Sequence, residues 1–68
     1  MSRCDYQLAV KILVYEPSFN SIIMAAMWKA DATNLKKLTS AWPEIWDEFS
    51  ARHQAPWGLL PGEVRMEE

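Results

Sequence analysis

The sequence predicts an all-α fold: a small bundle of about four short helices with an apolar C-terminal loop. Three observations lead there. Both glycines and two of the four prolines fall between Pro56 and Gly62, so most of the preceding chain is free of helix breakers. Phe19, Ile22, Ile23, Ala26, Met27 and Ala30 recur at i, i+3, i+4, i+7, i+8 and i+11, the spacing of one helix face. Half of the 68 residues are apolar and 12% aromatic, enough for one core and too few residues for two, so residues 1–68 form a single helical domain.

The first segment runs from Asp5 to Tyr15. Asp5 is available as its N-cap, and Leu8, Ile12 and Tyr15 share a face with Ala9 and Leu13 beside them. Val10, Ile12 and Val14 also allow a strand, but no second strand-like segment offers a pairing partner, so helix is expected. Glu16-Pro17 ends it, because the residue before proline is pushed out of the helical region. Ser18 caps the second helix, whose stripe from Phe19 to Ala30 is expected to be core. Met24 and Trp28 lie off that stripe, free to cover a neighbour or meet a partner.

After Ala30, Asp31 or Thr33 caps a third helix that turns Leu35, Leu38 and Trp42 inward and shows Asn34, Lys36, Lys37 and Ser40 outward. Pro43 suits the first position of a fourth helix, where its missing N–H is harmless. Glu44 and Asp47 complement that helix's positive end, Glu48 and Arg52 form an i,i+4 pair, and Ile45, Trp46, Phe49 and His53 make the apolar stripe. The loop from Pro56 to Gly62 carries Trp57, Leu59 and Leu60, which must pack on the helices or on a partner. Residues 63–68 are expected to fray as a polar tail.

Composition narrows the function. The lone Cys4 cannot make an internal disulfide and reads as a small apolar side chain near the N-terminus. The longest apolar run, Ile22 to Trp28, is far too short to span a bilayer, and the N-terminal segment lacks a signal-peptide pattern. An intracellular protein is therefore expected. His53 is the only histidine, with no neighbouring ligand set for a metal and no nucleophile partner. Glycine-rich phosphate loops are absent from the sequence, so no cofactor, no small-molecule substrate and no catalysis are expected.

Charge is uneven: residues 1–40 carry five bases and three acids, residues 41–68 two bases and six acids, for a net −2. A chain built to grip phosphates is usually basic, which disfavours nucleic acid. A helix-turn-helix reading nevertheless exists, with Asn34, Lys36 and Lys37 contacting DNA from the third helix. Four tryptophans suit protein recognition better, and Trp46, Arg52 and Trp57, rimmed by Asp47 and Glu48, form the expected partner-binding set. So little core per helix also predicts self-association into a homodimer.

The stretch Asn34-Leu35, Ala41-Trp42-Pro43-Glu44, Glu48, Ala51-Arg52, Ala55-Pro56, Gly58 and Leu60-Pro61-Gly62-Glu63 resembles small helical proteins of bacteriophages and prophages. Those share a Pro-Glu helix, an Ala-Pro-x-Gly loop and a Leu-Pro-Gly-Glu end; here Trp57 occupies the loop position where a small residue is commoner. The resemblance covers about half the chain and implies a viral origin. It implies a phage accessory protein in the host cytoplasm that binds a host or phage protein, inhibiting a host factor such as a CRISPR-type defence complex by occlusion. The alternatives are a virion structural or assembly protein and a small DNA-binding repressor.

Overall fold

The structure, a computed structural model, describes residues 2–63. Over that span the chain is all-helical: α1 (Arg3–Leu13), α2 (Phe19–Lys29), α3 (Ala32–Ala41) and α4 (Pro43–Gln54), followed by a single 3₁₀ turn, η1 (Pro56–Gly58). No described residue is in a strand, so the first segment takes its helical alternative.

α1 starts earlier than the sequence suggests. Ser2, not Asp5, is its N-cap: the Ser2 hydroxyl accepts the Asp5 N–H at 3.1 Å while the Asp5 carboxylate accepts the Ser2 N–H at 3.1 Å, a reciprocal capping box. Asp5 caps from the third helical position because a serine three residues upstream offers the better-placed oxygen. At the other end the N–H groups of Val14, Tyr15 and Glu16 bond the carbonyls three residues back, and Glu16 sits at φ +53°, so the chain leaves α1 through a left-handed residue before Pro17.

Ser18 caps α2 as expected, accepting the Ser21 N–H at 3.1 Å. Asp31 supplies the cap of α3, its carboxylate accepting the Asn34 N–H at 2.8 Å. Trp42 ends α3 and begins α4 at once. Its φ −133°, ψ 67° lies outside the helical region that Pro43 disfavours for the residue before it, and the bend turns α4 back along α2 and α3.

The core lies among α2, α3 and α4. Ile23 and Met27 of α2 and Ile45 of α4 are buried, with Met24, Leu35, Leu38, Trp42, Trp46 and Phe49 packed partly buried around them. Phe19, expected in the core, is exposed and rests edge-on against Trp42 with centroids 5.7 Å apart; it stands at the start of α2, where the stripe runs off the end of the facing helices. α1 packs on none of the other elements. Leu8, Ile12, Leu13 and Tyr15, read as an inward face, are all exposed. The periodicity was that of a buried surface, but its cover is not in the described chain.

Candidate functional site

α4 carries the site because its two long edges face different neighbours. Along one edge, Trp46, Phe49 and His53 recur at i, i+3 and i+7 and form a ladder of rings: Trp46 to Phe49 is 6.0 Å between centroids, and Phe49 to His53 is 5.7 Å and stacked. Trp28 crosses over from α2 and meets the ladder edge-on, 5.8 Å from Phe49 and 4.5 Å from His53. Its indole is 69% exposed. It supplies one wall of a cleft of about 500 Å³ between α2 and α4, lined further by Met24, Phe49, Arg52, His53 and Gly58. A smaller groove of about 240 Å³, on Met27, Leu35 and Trp46, shares Trp28, Phe49 and His53 with the cleft.

The C-terminal end of the cleft is built by Arg52. Its Nε donates to Glu48 Oε2 at 2.8 Å, the i,i+4 pair expected from the sequence. Nη1 donates to the Gly58 carbonyl at 2.7 Å and to Glu63 Oε1 at 2.8 Å, and Nη2 to Glu63 Oε2 at 2.9 Å. The planar guanidinium thus takes Glu63 in a two-pronged grip that a lysine could not reproduce. Glu63 Oε1 also accepts the Leu60 N–H at 2.8 Å. Glu63, assigned by sequence to a frayed tail, is the anchor that folds the Pro56–Gly62 loop onto α4; residues 64–68 lie outside the described residues. The Arg52 hydrogen bonds, then the Leu60 N–H, hold the Glu63 carboxyl down from 4.5 to about 2, and the Glu63 and Glu48 carboxylates in turn push Arg52 still higher.

Within the anchored loop, η1 carries Trp57 at φ +53° and Gly58 at φ +68°. Two successive left-handed residues reverse the chain tightly; glycine takes that conformation freely, a tryptophan at a cost of roughly 1–2 kcal/mol. The reversal sends the Trp57 side chain outward, 73% exposed, while Leu59 and Leu60 are half-buried.

The five residues expected to bind a partner are therefore distributed. Arg52 lines the cleft with its donors engaged inside the chain, Trp57 projects from the loop, and Trp46 is half-buried against the core. Asp47 and Glu48 are exposed on α4. Asn34, Lys36 and Lys37 are exposed on α3, and Asn34 and Lys37 border a shallow groove with Lys29 and Asp31. What sequence reasoning missed is the pairing of Trp28 with Phe49 and His53. The available signal was modest: Trp28 follows Met24 by one turn on the flank of the core stripe, and α4 has aromatic rings at the matching spacing.

Among the described residues no cluster of His, Cys, Asp and Glu could hold a metal ion, and no helix is long and apolar enough to cross a membrane. Compared with known protein families, curated proteins and solved structures, the chain has no match.

Proposed function

We propose that this chain acts by binding a protein, without catalysis, through the α2–α4 cleft and the adjoining C-terminal loop. The observation that carries this reading is the placement of two tryptophans, Trp28 and Trp57, on the surface of a chain whose buried core comprises only Ile23, Met27 and Ile45 among the described residues. Exposed indoles beside an apolar cleft are the usual make-up of a binding hot spot. Glu48, exposed beside Arg52, and Asp47, exposed on another face of α4, give this helix acidic charge suited to a basic partner surface.

Together with the resemblance of residues 34–63 to small phage proteins, these features support a phage accessory protein working in the host cytoplasm. It inhibits a host factor by occlusion, and a nucleic-acid-binding defence complex of the CRISPR type fits the acidic charge of α4. The second reading is DNA binding by α3. Its support is the groove bordered by Lys29, Asn34 and Lys37, but the Asp31 carboxylate lies on the same groove and opposes phosphate.

The test is capture of host proteins on the full chain, repeated with Trp28→Ala and Trp57→Ala, each with its helical circular dichroism checked. A specific partner is expected, with each substitution weakening its binding by about 2 kcal/mol or more. Recovery of nothing specific, or of the same partner undiminished by both substitutions, rejects the reading.

A further inference from the structure

α1 presents a different surface from the cleft, and its occupant follows from how much of the chain is left uncovered. Taken at 100° per residue, Leu8, Ile12, Ala9, Leu13, Tyr6 and Val10 sweep an arc of roughly 200° around the helix. The only polar group inside it is Asp5, whose carboxylate is engaged by the Ser2 cap. Arg3, Gln7 and Lys11, spaced i, i+4 and i+8, form the polar stripe on the opposite side. A helix apolar over more than half its circumference is one buried on more than one side. Eleven residues are also too few for a helix to be stable alone in water, where about 12–15 is the marginal length.

The surface area and radius of gyration are those of an open chain. The accessible surface is 6067 Å², against about 4,400 Å² for a compact monomer of 7.9 kDa, an excess of roughly 1,700 Å². The radius of gyration is 14.1 Å where about 11 Å is expected for this length. The exposed fractions of Tyr6, Leu8, Val10, Ile12 and Leu13 amount to on the order of 500 Å², so two copies of the arc bring together about 1,000 Å², the lower bound of a specific interface.

We propose that the occupant is a second copy of this chain, and that α1 is its dimerisation helix. A two-fold dimer brings the same apolar arc from both copies to one interface, so a single surface supplies both sides. Arg3 and Lys11 both lie on the polar stripe, and the one charge within the arc, the Asp5 carboxylate, is held by the Ser2 N–H and hydroxyl at the N-terminal end of the helix.

The experiment is sedimentation equilibrium of the full chain from ~1 to ~500 µM, with thermal melting followed at each concentration. Twice the 7.9 kDa chain mass and a melting temperature that rises with concentration are expected. Ile12→Asp is expected to raise the dimer dissociation constant at least ~100-fold, and Gln7→Ser, on the polar stripe, to leave it unchanged. Since α1 touches no other element, the ring shifts of Trp42 and Phe49 keep the Ile12→Asp readout separate from unfolding of the core. A monomer mass throughout the range overturns the proposal. So does binding of the monomeric chain to anionic phospholipid vesicles through the same arc, or equal effects of the two substitutions.

Discussion

Arg52 is one turn past Glu48, and that relation was readable from spacing alone. Its reach to Glu63 was not, because it depends on where a Pro and Gly loop carries an acid eleven positions downstream. No local rule relates those two residues. By contrast, local spacing does separate Trp28, off the α2 stripe and exposed over a ring ladder, from Trp42, turned inward onto the core, though not the identity of the rings that Trp28 meets. The Arg52–Glu63 grip has a pH signature. The Glu63 carboxyl binds its proton less tightly when docked, about 2, than when free, 4.5, so acidification favours the undocked loop. The docking contribution is complete above about pH 4.5 and is lost as pH falls towards 2. Arg52, raised further above its ordinary range, stays charged throughout and adds no titration in that window. The Leu60 amide resonance is expected to move with pH across this window in the native chain and to stop doing so in Glu63→Gln. A Leu60 resonance equally pH-dependent in both would show that Glu63 is not its titrating partner.

At the scale of the elements, caps and breakers were the most legible features. Ser18, Asp31 and Pro43 act where their chemistry suggests, because capping is settled within three or four residues. Apolar stripes were legible as helix faces but not as destinations. The stripe of α2 delivers Ile23 and Met27 to the core, yet that of α1, equally regular, meets nothing in its own chain. Periodicity records that a face is apolar and is silent on which molecule covers it. The asymmetry sets the cost of substitutions. Met27, at 3% exposure, is the most enclosed of the three buried core residues, and Met27→Ala is expected to cost about 2–5 kcal/mol, seen as loss of cooperative melting. Retention of the native melt would mean that α2, α3 and α4 are held by something other than the Ile23, Met27 and Ile45 cluster.

For the molecule as a whole, fold class was the easiest property to read and shape the hardest. A breaker-poor sequence of 68 residues leaves little choice but short helices, whereas the openness of the assembled chain reflects which faces find one another. The core helices are close along the chain: α2 packs on α3 and α4, α3 on α4, and η1 folds back on the helix it follows. That order has a temporal consequence. Nearly all contacts are local, so α2 to η1 should assemble in microseconds to milliseconds, as helical domains rich in local contacts do. The proposed pairing of α1 with another copy would instead await a collision, and its rate would scale with concentration. Stopped-flow refolding followed by tryptophan emission is expected to resolve a fast first-order phase and a slower second-order one. The dilute chain would then pass through a half-made state, its core closed while its N-terminal helix is still searching.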